Sequence, residues 1–297
     1  MQPTPGSGGL LLGGLALKVT LWGTRGSLAA PGPETNRYGG NTSCVEVRAD
    51  DGSILVLDAG TGVRRLGDAI VDEVERVDLL LTHMHMDHIQ GLGFFEPLFR
   101  PSVEVHLWGP SSTTLDLRGR LTRYLSPPLF PVRLRDLPCP PELHDVVECG
   151  SFEIGPFLIR AELVCHPGPT VGYRIEADGG SLAYLPDHEP ALGADDFPGD
   201  PEYLPGLGLA DGVDLLIHDA MFTAEEYPRF VGWGHSSIPQ TLAFAEAVGA
   251  RQLLPFHHDP THSDEQLDRL FDEIEASPLP FELLRGTEGS SFEVRGS

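Results

Sequence analysis

LTHMHMDHIQG, residues 81–91, decides how this chain is read. Three histidines and an aspartate fill positions 83–88, directly behind the apolar run VDLLL. Imidazoles and carboxylates crowded into one turn compete for protons unless a cation takes up their lone pairs and offsets their charge. His83 and His85 are two apart, on one side of an extended segment, and Asp87 and His88 follow where the chain turns. One turn can therefore offer two groups of ligands to two cations.

Outward from this segment, β-type runs recur: LKVTLWG (17–23), CVEVRA (44–49), SILVLDAG (53–60) and VDLLLTH (77–83). A helix is predicted over 61–74, where Val63, Leu66, Ile70 and Val74 keep helical spacing. VEVHLWG (103–109) precedes an arginine-bearing helical stretch, and FLIRAELVCH (157–166), VGYRIEA (171–177) and SLAYLPD (181–187) read as consecutive strands broken by Gly and Pro. The last third alternates VDLLIHD (213–219), a helix over 238–249, RQLLPFHH (251–258), a helix over 263–276, and short strands near 281–284 and 291–295. Ser263 and Gln266 fit a capping box at the start of the last helix. This alternation, in two similar halves, predicts an α/β protein: a pair of sheets with helices outside, one domain over 17–297 after a flexible extension over 1–16.

Composition narrows the chemistry. The net charge is −24 and Lys18 is the only lysine, so polyphosphate backbones are repelled at long range and a nucleic-acid polymer is not expected as partner. Residues 114–136 carry five arginines against two aspartates, read first as a solvated helix face beside a proline loop. Cys44, Cys139, Cys149 and Cys165 form no C-x-x-C pair, which suits buried thiols in a reducing, cytoplasmic compartment. Residues 1–16 lack a basic leader region, and no apolar run reaches bilayer length, so no membrane partner is expected. His106 and His144 are read as surface or hydrogen-bonded side chains.

The runs ending in LLLTH, VCH, LPD and PFHH each deliver a metal-capable group at or just past a strand end, where loops at one rim can converge. Neutral imidazoles and carboxylates without thiolates suit zinc, with manganese or iron as competitors that ligand type leaves open. Two cations sharing a hydroxide need a bridging carboxylate, and Asp187 in YLPDHEP is the candidate.

THMHMDHIQG, with LDAG (57–60), VCHPG, YLPDHE and FHHDP, resembles the metallo-β-lactamase superfamily over residues 17–295. The resemblance implies an αββα four-layer sandwich, mixed sheets with helices on both outer faces, and a dinuclear site along its edge. It implies two divalent cations, Zn2+ or else Mn2+ or Fe2+: His83, His85 and His166 around one, Asp87, His88 and His257 around the other, and Asp187 between them. His257 is taken rather than His258 because it stands where the family's last ligand ends a strand. Asp58 resembles the aspartate that orients a ligand imidazole from behind.

LIHDAMF (216–222) and GHSS (234–237) resemble the ribonuclease Z branch, where an acidic residue steadies a histidine reaching the site. On that match Asp219 orients His235. Members that grip tRNA carry an arm between the third histidine and the bridging aspartate, whereas here twenty residues separate His166 from Asp187 and read as a hairpin. WGTRGS and RYGGNTSC are similar to segments of bacterial metal-dependent hydrolases of the smaller kind. The expected activity is hydrolysis of small phosphodiesters such as cyclic nucleotides. A hydroxide shared by the metals attacks phosphorus, Asp87 accepts its hydrogen bond, and His235 protonates the departing alkoxide. Arg25, or the arginines of 118–135, is the candidate phosphate clamp. Acyl hydrolysis of a lactone, thioester or β-lactam is the alternative, tRNA 3′ processing fits less well without the arm, and a homodimer is an open expectation from the same resemblance.

Overall fold

Runs such as SILVL and VDLLI are apolar at nearly every position because both faces of the strands they form are covered. The computed structural model describes residues 16–147, 150–192, 197 and 204–296. In β3 (Ile54–Leu57), Leu55 and Leu57 enter a core between two sheets, while Ile54 and Val56 enter a second core behind the first sheet. In β10 (Gly180–Leu185), Leu182 and Tyr184 enter the central core, and Ala183 and Leu185 a third core behind the second sheet. The period of two along each strand thus sorts side chains into separate layers.

Each sheet has seven strands. The first runs β14 (Ser291–Val294), β1 (Leu17–Gly23), β2 (Cys44–Arg48), β3, β4 (Arg76–Leu80), β5 (Glu104–Pro110) and β6 (Glu142–Val146). The second runs β13 (Glu282–Leu283), β12 (Gln252–Phe256), β11 (Leu215–Asp219), β10, β9 (Val171–Ala177), β8 (Phe157–Leu163) and β7 (Gly150–Ile154). Strands β3 to β6 are mutually parallel, as are β10 to β13, and the remaining pairs are antiparallel. Because β9 is antiparallel to both β8 and β10, strands β8, β10, β11 and β12 all end at one edge. That edge carries the residues of the site.

Helices α1 (Val63–Ile70) and α3 (Leu117–Tyr124) cover the first sheet through Val63, Leu66, Leu117 and Leu121. Helices α4 (Leu207–Ala210) and α5 (Ile238–Ala247) cover the second through Leu209, Phe244 and Ala245. The short α2 (Met86–Ile89) continues the quoted motif, and α6 (Asp264–Glu275) packs Leu267 and Phe271 on Tyr38. The expected four-layer α/β sandwich is therefore present. Between His166 and Asp187 the chain forms only the β9–β10 hairpin, turning at Asp178 and Gly179, with no protruding arm.

Some expectations need correction. The helix predicted over 61–74 is shorter, because after Ile70 the chain closes a turn through Glu73 N to Ile70 O. β6 and β7 were absent from the predicted strands: both are sheet edges with three or more of five residues at least partly exposed, so no apolar run marks them. At α6 only Ser263 accepting from Gln266 N is formed, and the complete reciprocal box caps α5, through Ser237 and Gln240. Cys44 is buried, but Cys139 and Cys165 are only half-buried. Residues 1–15 and Cys149 lie outside the described residues. Among the described residues no helix is long and apolar enough to cross a membrane.

Gly91, which ends the motif, lets α2 approach β3's exit: a Cβ there would stand 2.1 Å from Gly60 O and 2.5 Å from Val63 Cγ1. Gly91→Ala is expected to lower stability by about 1–3 kcal/mol, as overpacking against backbone does. Urea unfolding checks this, and an unchanged midpoint would mean the approach is not constraining.

Candidate metal centre

The site assembles from chain exits. β4 ends at Leu80, so His83, His85 and α2 with Asp87 and His88 lie past its C-terminus; β8, β10, β11 and β12 bring His166, Asp187, Asp219 and His257 to the same place. Two groups result: His83, His85, His166 and Asp187, and Asp87, His88, Asp187 and His257, each with one candidate ligand atom per residue within 4.8 Å of the others. Asp187 belongs to both. A third grouping joins Asp219 and His235 to His257.

The contacts within these groups crowd imidazole nitrogens and carboxylate oxygens together. His85 Nδ1 lies 3.1 Å from His166 Nε2, and His88 Nε2 lies 3.3 Å from His257 Nε2. The opposite ring nitrogens are already committed: His166 Nδ1–H donates to Gly234 O at 2.8 Å and His88 Nδ1–H to Asp58 Oδ2 at 2.8 Å. Lone pairs on Nε2 therefore face inward. His83 Nε2 is buried without a hydrogen-bond partner, and Asp187 Oδ1 makes no well-aligned hydrogen bond although His88 Nε2 stands 3.0 Å away. Burial pushes His83, His85 and His166 below the usual histidine range, which keeps them neutral. For His88, burial opposes charge but Asp187, Asp87 and Asp58 outweigh it and raise the group, so the carboxylates around this ring call for positive charge at the point it faces.

Asp58 anchors the arrangement from behind. Held at a φ of 57, it accepts from Thr82 N at 2.8 Å, from Thr82 Oγ1, from His88 Nδ1 and from Tyr184 OH at 3.0 Å. His83 Nδ1, 3.1 Å from Thr82 Oγ1, completes a relay that fixes its tautomer too. Asp87 Oδ2 accepts from Ser27 N at 2.7 Å. Left-handed backbone at Asp58 and at His257, with its φ of 60, marks strain held at the site.

His235 Nδ1–H donates to Asp219 Oδ2 at 2.7 Å, and its ring stacks on His257 with centroids 5.0 Å apart. Burial disfavours its charged form, but Asp219, with Asp187 and Asp87, outweighs burial and pushes the imidazole up to about 9. Asp219 is itself fixed by His188 N and Met221 N. His257 faces the cluster, while its neighbour His258 lies edge-on to Tyr38 and Phe271. His106 and His144 bond each other at 2.9 Å beside Trp108.

Arg25 is a correction. It is fully buried, donates to Gly39 O, Asp259 O and His262 O, and faces Asp264 at 3.6 Å. Its guanidinium ties loops together and is not available to clamp a phosphate.

Sequence reading passed over Glu189. Fully buried two residues after Asp187, its carboxylate accepts from Gly232 N at 2.9 Å, Gly234 N at 2.7 Å and Tyr227 OH at 2.8 Å. It thereby holds the loop whose Gly234 O orients His166 and whose next residue is His235. Gly234 must be glycine: its φ is 88, and a Cβ would stand 2.4 Å from His166 Nδ1. The one sequence sign was a carboxylate in the quoted YLPDHEP segment.

Fold and site together define a metal-dependent hydrolase. The profile described as "Beta-lactamase superfamily domain" matches residues 54–258, more than half of the chain, and the protein belongs to that superfamily, on its metallo-hydrolase side. It is 30% identical over 277 residues to a ribonuclease Z of Mycolicibacterium gilvum (strain PYR-GCK), covering 85% of this chain and 87% of that one. Its fold is similar to the metallo-beta-lactamase fold protein YhfI from Bacillus subtilis, with a TM-score of 0.67, 19% identity and coverage of 94% and 99%. It is also similar to a diphosphatase from the PhnP family, with a TM-score of 0.65, 19% identity and coverage of 94% and 98%.

Glu189→Ala leaves buried amides without an acceptor, and hydrogen bonds to a charged group contribute about 1.5–3 kcal/mol each. Faster hydrogen exchange at Gly232 and Gly234, with a lowered unfolding midpoint, is the expected outcome. Unchanged exchange at Gly234 would remove the anchoring role.

Proposed function

We propose that the protein hydrolyses phosphodiester bonds in small substrates such as cyclic nucleotides, with two divalent cations, zinc or else manganese or iron, as cofactors. His83, His85 and His166 would hold one, Asp87, His88 and His257 the other, and Asp187 both. The donor set fits: inward lone pairs, an orphaned His83 Nε2 and a doubly shared carboxylate are groups whose burial a cation offsets. When bound, the cations supply Lewis acidity and an activated water at neutral pH.

The single observation that carries the phosphodiester reading is the buried Asp219–His235 pair beside both clusters. With Nδ1 committed to Asp219, His235 has Nε2 left to give a proton to a departing alkoxide, which a poor leaving group needs and an activated acyl bond does not. Asp87, oriented by Ser27 N–H, accepts a hydrogen bond from the attacking water. Asp58 and Gly234 O keep His88 and His166 in their ligating tautomers. Ribonuclease Z relatives cleave the same kind of bond, while the acidic surface and the bare β9–β10 hairpin favour small substrates over tRNA.

Two measurements test this. His235→Ala is expected to lose ~10²–10⁴-fold in kcat on a phosphodiester with an alkoxide leaving group, and far less on bis(4-nitrophenyl) phosphate, whose leaving group needs little help. Ester turnover without any phosphodiester turnover would move the protein to acyl hydrolysis. Chelator treatment is expected to abolish activity and lower the unfolding temperature, both restored by zinc or manganese; purified protein that takes up no metal would end the reading.

A further inference from the structure

Helix α2 has a second face. Between the ligands His85 and Asp87 stands Met86, 47% exposed, and it opens a hollow of about 700 Å³ lined also by Gln90, Phe94, Tyr124, Leu129, Phe130 and Pro131. The wall carries no charged residue. Phe94 is 60% and Leu129 71% exposed, although a folded chain gains nothing from leaving such side chains in water unless something covers them. Phe94 meets Phe130 edge to face, with ring planes at 87° and centroids 5.9 Å apart, and Tyr124 lies 5.9 Å from Phe130. Tyr124 OH donates to Gln90 O at 2.6 Å, pinning α3 to the segment that follows α2, so the hollow is preformed. His85, the exposed member of its cluster, directly precedes Met86 in the chain.

We infer that this hollow receives a flat aromatic group attached to the scissile phosphate, a nucleobase or an aryl ester, and so selects aromatic over aliphatic phosphodiesters. This rests on the phosphodiesterase reading above. The volume suits one small molecule, three rings and a thioether suit a π-face, and the absence of charge leaves the phosphate to the clusters next door. Met86 lines the hollow and is the chain neighbour of both His85 and Asp87, so a base held there and a phosphate held at the clusters can belong to one molecule.

The test uses metal-loaded protein and two substrates with the same five-membered cyclic phosphate, adenosine 2′,3′-cyclic phosphate and glycerol 1,2-cyclic phosphate, followed by phosphorus NMR. The nucleotide is expected to show a kcat/KM about tenfold higher, through KM, as base stacking on an aromatic side chain provides. Phe94→Ala and Leu129→Ser, both at exposed positions, should each remove most of that preference and leave the glycerol ester's kcat/KM unchanged. A preference unaltered in both variants, or an equal loss on both substrates, overturns the inference. If neither substrate is turned over, the phosphodiesterase reading has failed, and the hollow is tested by titration calorimetry with adenosine 5′-monophosphate and ribose 5-phosphate. Tighter binding of the former, lost in Phe94→Ala, supports it, and equal affinities overturn it. A dimer that Phe94→Ala dissociates, with the preference intact, assigns the hollow to a second copy and overturns it as well.

Discussion

The buried carboxylate of Asp58 is the point through which the two sheets agree on a site. It sits past β3 in the first sheet, takes hydrogen bonds from Thr82 after β4 and from His88 on α2, and takes another from Tyr184 on β10 in the second sheet. A carboxylate buried this deeply must satisfy its oxygens with fixed donors, so each donor is held in one orientation. The ring of His88 is turned inward by this demand, and His83 follows through Thr82. The positive φ at Asp58 is the local conformational cost of placing it there.

Around that anchor the sandwich solves a placement problem. Eight side chains from five chain exits must converge to within a few ångströms, which no single helix or hairpin can arrange. Parallel neighbours β10, β11 and β12 set Asp187, Asp219 and His257 side by side, while β8 reaches the same edge because two antiparallel steps restore its direction. Tight packing in the central core, where Tyr184 and Phe256 meet, makes the edge rigid. Rigidity matters because ring nitrogens must stay 3.1–3.3 Å apart for their groups to share a cation.

Much of this was legible in the chain, for identifiable reasons. Strands buried on both faces leave unbroken apolar runs, and the polar groups that stop them stand out, as in LLLTH and LPD. Edge strands β6 and β7 leave no such run, since four of the five residues in each are at least partly exposed. The choice of His257 over His258 follows the strand end, and the geometry places His258 against aromatic rings instead. Arg25 was misread because sequence displays charge but not enclosure: beside a glycine-rich segment an arginine resembles an anion binder, and here backbone carbonyls take its donors. Glu189 was passed over for the converse reason, since a carboxylate that serves mainly peptide N–H groups, with one tyrosine hydroxyl, has no charged partner to betray it.

The pairing of β14 with β1 joins Leu17 to Val294, residues far apart in the sequence. During synthesis β1 leaves the ribosome with its outer ladder of peptide groups unsatisfied, and keeps it so until residues 291–294 emerge. Such long-range closure slows folding and exposes a template for intermolecular strand addition. Without residues 291–294, β1 would therefore present an aggregation-prone edge.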